Sequence, residues 1–106
     1  MAAAAFPFIG PDWRTERRVS AAMTLRPGGV SEGPYRALNL GVHVGDDPGA
    51  VAENRRRLRD RLALPSEPAW LEQVHGTAVL DLDGGPPPAA APAPRADAAL
   101  TRRAGP

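Results

Sequence analysis

The chain of 106 residues has no cysteine, which excludes disulfides, thiolate nucleophiles and any zinc–thiolate site built from this chain alone. Lysine is absent too, so all 13 basic side chains are arginine. Set beside 13 prolines and abundant alanine, this points to GC-rich codon usage, and the arginine count is not read as a functional signal. The aromatic residues are few: Phe6, Phe8, Trp13, Tyr35 and Trp70. Much of the hydrophobic content is alanine, so the core that one small domain of this length can build is thin. A formal net charge of +1 gives no broad field to draw in nucleic acid or a membrane surface. No apolar run is long enough to span a membrane, and Met1 to Phe8 lacks the charged and apolar regions of a signal peptide. A soluble, cytoplasmic protein with neither nucleic-acid nor membrane partners is expected.

Local patterning is uneven. Met1 to Ala5 reads as a frayed end. Phe6 to Pro11 can lie along a core edge, its two prolines excluding a central strand. Arg18 to Leu25 is predicted as a strand with Val19, Ala21, Met23 and Leu25 on one face. It runs into Arg26-Pro27-Gly28-Gly29-Val30-Ser31, which must turn with a positive φ within it. Leu38 to Val44 is short, apolar and broken by Gly41. The clearest element is a helix over about 48–63, with Asp47 as N-cap, Pro48 at the first position and Pro65 as stop. Its inward stripe is Val51, Asn54, Leu58 and Leu62. Arg55, Arg56, Arg57, Arg59 and Arg61, interleaved with Glu53 and Asp60, read as a solvated face rather than a nucleic-acid patch. Trp70 to His75 and Thr77 to Leu82 are both strand-like. Residues 84–95 form a Pro/Ala-rich loop, expected to be extended and exposed, and Arg95 to Thr101 is one more short strand. So few strands and one helix bury too little for a finished domain.

The residues able to carry chemistry are sparse. His75, before Gly76, sits at a strand lip where an imidazole could bind metal or carry a proton near neutral pH; a turn histidine with no task is the simpler reading of that segment alone. Arg26 beside Gly28-Gly29 resembles a phosphate-cradling loop, although no Gly-Lys-Ser/Thr ending makes it a P-loop. His43, Asp46 and Asp47 could serve a metal, but Asp47 is already explained as a cap. Asp81 and Asp83 lie on one strand face near a turn and read as solvated.

Taken together, these stretches resemble one family. Thr24 to Ser31, Gly33-Pro34-Tyr35, Leu38 to Gly41, His43 to Pro48, Val51 to Arg55, Trp70 to Gly76 and Ala96-Asp97-Ala98 follow the order and spacing of the bacterial YfiH-like family. That family is also called laccase-domain or multicopper polyphenol oxidase, and in some usage peptidoglycan editing factor. The resemblance covers about residues 12–103. It implies a layered α/β (α+β) sandwich, of which residues 1–106 would be an incomplete N-terminal part of a single domain. It implies a purine nucleoside phosphorylase, acting on adenosine, inosine and methylthioadenosine with phosphate, that also deaminates adenosine. It further implies one zinc held by two histidines and a cysteine, with His75 the first ligand and the others beyond Pro106, so that this chain alone would be inactive. Arg26, Asn39 and His43 are the substrate-binding positions it suggests. The alternatives are a copper-dependent polyphenol oxidase, for which two histidines are few, and a non-catalytic fragment.

Overall fold

A computed structural model describes residues 6–13, 19–84 and 93–103. The expected frayed end and most of the Pro/Ala-rich loop lie outside these residues. The chain divides into two compact units, Met1–Arg61 and Leu62–Pro106.

In the first unit the longest element is helix α1, Pro48–Arg61. Asp47 Oδ2 accepts the Ala50 N–H at 2.9 Å, satisfying one orphan donor of the first turn. Pro48 has no N–H to satisfy there. Val51, Asn54 and Leu58 are buried as the spacing required. The helix ends earlier than expected, leaving half-buried Leu62 outside it, and Ala63 already lies in the left-handed region at φ 52°.

Asn54 is 0% exposed, and it is the member of the stripe that does most to shape the unit. Its Oδ1 accepts the Val30 N–H at 2.7 Å. Its Nδ2 donates to Ser31 Oγ and to the Asn39 carbonyl, both at 2.8 Å. A buried amide costs free energy unless its partners are present; here they are, and three separate loop positions are tied to the helix. Leu38, Val51 and Leu58 supply the buried apolar side chains among the unit's described residues.

The arginine face is only partly solvated. Arg56 bridges Glu53 at 2.7 Å and Asp60 at 2.6 Å, and Arg57 bridges Glu53 at 2.8 Å. Other arginines reach back to the loops: Arg55 Nε donates to the Leu40 carbonyl at 2.8 Å, and Arg57 Nη1 to the Gly28 carbonyl at 3.2 Å. Arg61 donates to the Phe6 carbonyl and stacks over the Phe8 ring at 4.7 Å. Of the strand expected over Arg18 to Leu25, Arg18 lies outside the described residues and only β2, Met23–Thr24, is paired. Its partner is β1, Phe8–Ile9, in antiparallel register Phe8↔Thr24 and Ile9↔Met23. Val19 and Met23 are exposed, so the alternating pattern buries no face here.

In the second unit, β3, Val79–Asp81, runs parallel to β4, Ala98–Leu100, with Val79↔Ala98, Leu80↔Ala99 and Asp81↔Leu100 in register. The expected strand over Trp70 to His75 is reduced to one parallel bridge, Glu72↔Arg95. Glu72 N donates to the Pro94 carbonyl and Ala96 N to the Glu72 carbonyl, at 2.9 and 3.1 Å. The runs on either side of His75 therefore meet successive parts of 94–100. Asp83 is in a short 3-10 turn, Leu82–Gly84, rather than on the strand. It accepts Thr101 Oγ1 and Arg102 N, both at 2.7 Å, and bridges Arg103. The hydroxyl of Thr101, then the Arg102 amide, hold its carboxyl below the ordinary range against some burial.

Two outcomes follow for the first unit. Asn54→Ala should destabilise it by roughly 3 kcal/mol, since each buried partner left unpaired costs about 1–3 kcal/mol. Asn54→Asp, though isosteric, should do no better because it loses both donations; chemical denaturation checks both. Hydrogen bonds from Arg56 and then Arg57 lower the Glu53 carboxyl from its ordinary 4.5 to about 2. Because the folded value is the lower one, this stabilisation is complete above about pH 4.5 and is lost as pH falls towards about 2. Glu53→Gln should flatten that part of the Tm–pH curve.

Candidate functional site

The candidate residues fall in both units. In the second, the stretch around His75 is organised by one carboxylate. Val74 and His75 donate their N–H groups to Asp97 Oδ1 at 3.0 and 2.6 Å, and Gly76 donates to Oδ2 at 2.9 Å. Consecutive amides converging on an anion form a nest, in which a residue takes the left-handed conformation. That residue is His75, at φ 56°. The freedom expected of Gly76 is thus taken by the histidine itself, at about 1–2 kcal/mol for a left-handed L-residue; hydrogen bonds to a charged acceptor offset this. Burial pushes the Asp97 carboxyl up, but the amides of Gly76, Val74, His75 and Ala78 together outweigh it and hold it below the ordinary range. Asp97 N in turn donates to the Ala78 carbonyl at 2.9 Å, so the brace is continuous with the β3–β4 ladder. His75 is exposed.

From the sequence, Asp97 belongs to the short strand expected over Arg95 to Thr101 and to the Ala96-Asp97-Ala98 motif, and neither gives it a task. A single Asp before a short strand carries no local mark of a partner more than 20 residues away.

In the first unit, Arg26 and the glycine pair stand in a closed loop. The Arg26 carbonyl accepts Ala37 N and Leu38 N at 3.2 and 2.8 Å, and Ser31 N donates to the Ala37 carbonyl at 2.9 Å. The loop lines an open hollow of about 860 Å³. The glycines have a packing reason. Gly28 takes φ 111° with the Phe6 ring where a Cβ would stand. A Cβ on Gly29 would strike the Ala37 carbonyl oxygen and lie 2.5 Å from Asn54 Oδ1 and 2.6 Å from Leu38 Cα. Val30 N and Ser31 N are spent on Asn54 and Ala37, so they offer no free amide to an anion.

What the loop does offer is guanidinium. Among the described residues, the side chains of Arg26 and Arg36 carry no hydrogen bond or ion pair, whereas every other described arginine has a hydrogen bond, an ion pair or another interaction. Both line the 860 Å³ hollow and a second one of about 350 Å³. Arg36 was passed over in the sequence because nothing there distinguishes a free arginine from a paired one.

Asn39 lines the smaller hollow, but its amide is engaged: Nδ2 donates to the Gly41 carbonyl and to Asp46 Oδ2, and Oδ1 accepts Gly41 N, all at 3.2 Å. Asp46 also takes the Ser31 hydroxyl at 2.5 Å. That bond, with help from Asn39 and the Asp47 amide, holds its carboxyl below the ordinary range against burial. His43 is exposed in a bend whose Val44 carbonyl accepts the Tyr35 hydroxyl at 2.7 Å. Asp46 and Asp47 are thus structural anchors. No group of three His, Cys, Asp or Glu among the described residues could hold a metal ion. As a donor, His75 fits a metal as one ligand of a site, not as a site in itself.

A family model described as multi-copper polyphenol oxidoreductase laccase matches residues 20–106. A purine nucleoside phosphorylase of Pseudomonas aeruginosa is 54% identical over 76 residues, which are 72% of this chain and 31% of that relative. The purine nucleoside phosphorylase YfiH of Escherichia coli is 54% identical over 78 residues, 74% of this chain and 32% of the relative. The crystal structure of a Neisseria meningitidis protein matches with a TM-score of 0.69 at 40% identity, covering 89% of this chain and 36% of that one. The chain spans about a third of the length of the curated relatives it matches. The structural likeness supports the expected α/β class.

If the glycine pair serves packing, Gly29→Ala should cost about 3 kcal/mol or more, the upper end of overpacking, because the atoms it meets are mostly backbone. Loss of the folded amide spectrum would accompany it; a neutral Gly29→Ala would contradict the packing account.

Proposed function

The chain belongs to the multi-copper polyphenol oxidoreductase laccase family, and from that premise we propose that it serves the phosphorolysis of purine nucleosides at a zinc centre. The observation that carries this reading is its 54% identity to curated purine nucleoside phosphorylases. The family is metal-associated by description; zinc is the metal of this reading and copper the alternative. The reaction is placed in the cytoplasm. No helix among the described residues is long and apolar enough to cross a membrane.

In phosphorolysis a phosphate oxygen bonds to the ribose anomeric carbon, the glycosidic bond breaks, and the purine leaves with the bond's electron pair. Arg26 is the residue assigned to the phosphate: it is exposed, unpaired, and anchored through its own carbonyl to Ala37 and Leu38. A guanidinium can hold a dianion through two parallel N–H donors and offset its charge as it approaches carbon. Arg36 lines the same hollow. Asn39 and His43 stand on the loop beyond it as candidate contacts to the nucleoside. His75 is assigned one ligand position on the metal. When bound, zinc supplies a Lewis acid able to bring a water's pKa towards neutrality, the chemistry that deamination of adenosine needs. Arg26 and His75 lie in different units, and each assignment stands on its own surroundings.

The test is inosine cleavage with phosphate in the protein expressed from its natural gene. His75→Ala should abolish cleavage and zinc content together. Arg26→Ala should raise the phosphate KM roughly tenfold or more, the equivalent of one charge-assisted hydrogen bond, with zinc content unchanged. Full cleavage and zinc in His75→Ala would refute the ligand assignment. Copper content with phenol oxidation, and no phosphorolysis, would favour the oxidase reading.

A further inference from the structure

Building on the reading of His75 as a metal ligand, we propose that Asp97 is the positioning residue for that ligand, acting through the backbone of residues 74–76. Metal-binding histidines are usually oriented through the second ring nitrogen. Here the orientation is set one step earlier. Asp97 Oδ1 takes the amides of Val74 and His75, and Oδ2 takes that of Gly76. With both oxygens committed, the carboxylate is a brace rather than a spare ligand. The brace itself is anchored, because Asp97 N is bonded to the Ala78 carbonyl and the next residue begins β4. Left-handed φ at His75 sets the direction of its Cα–Cβ bond. Without three amides drawn to one anion, an L-residue returns to negative φ, and the imidazole swings away from where the other ligands must meet it.

The amide and the carboxylate differ in a useful way. Asp97→Asn keeps one carbonyl oxygen, enough for Val74 and His75, and sets an NH2 group against Gly76 N–H. Asp97→Ala keeps none. In the metal-free protein expressed from its natural gene, hydrogen exchange at amides 74–76 should be fastest in Asp97→Ala and intermediate in Asp97→Asn. Titration with cobalt(II), followed by its visible absorption band, should show affinity falling on the order of 10–100-fold in Asp97→Ala, less in Asp97→Asn, with the band altered in the same order. In a His75→Ala background, Asp97→Ala should change cobalt binding no further. A folded Asp97→Ala, or Asp97→Asn if the alanine variant does not fold, that loses amide protection yet binds cobalt with unchanged affinity and band overturns the proposal: Asp97 would then be a structural brace only. An unchanged cobalt band in His75→Ala removes the premise instead, whatever the Asp97 variants do.

Discussion

The buried carboxamide of Asn54 is the constraint on which the first unit depends. It has two donor hydrogens and an acceptor oxygen, all engaged, and its partners lie at Val30, Ser31 and Asn39. One helical side chain thereby orders both arms of a loop that has almost no regular structure of its own. The arrangement is demanding in the way buried polar networks are: complete, it specifies a single geometry, and incomplete, it is worse than an apolar contact. Gly29 is part of the same demand, since only a residue without Cβ leaves room for the Asn54 oxygen and the Ala37 carbonyl.

Asp97 does the corresponding work in the second unit, with a charge in place of an amide. Ala96 is the buried apolar side chain among the described residues there, so apolar burial cannot hold the 73–76 stretch. A carboxylate that collects consecutive amides can. Both units therefore use a polar side chain on a regular element, a helix in one and the lead-in to a strand in the other, to fix an irregular segment that carries candidate functional residues. This suits a protein with few aromatics and much alanine, where hydrogen bonds supply the specificity that a larger core would otherwise provide.

Charge is distributed by the same logic. Arg55, Arg57 and Arg61 fasten α1 to loop carbonyls, Arg56 stays within the helix face, and Arg102 and Arg103 close around Asp81 and Asp83. Among the described residues the arginines thus resolve into fasteners and a small remainder. Arg26 and Arg36 are that remainder, and they line the same hollows.

Helix α1 was legible because its determinants are local: an Asp–Pro start, a three–four apolar spacing and a proline beyond the end all act within a few residues of themselves. The turn at Gly28 was legible for the same reason. Family membership was readable too, carried by colinear motifs rather than by any single residue. The strands were over-read. Alternation over Arg18 to Leu25 and Trp70 to His75 promises a face to bury, but a strand exists only where a partner offers its amides and carbonyls, and that partner comes from distant sequence. Met23–Thr24 and the Glu72↔Arg95 bridge are what pairing left of those runs. The left-handed histidine, the Asp97 brace and the difference between a free and a fastened arginine were decided by tertiary structure alone. Each depends on which groups meet across a long loop, and hydrogen bonds of that kind leave no periodicity in the chain.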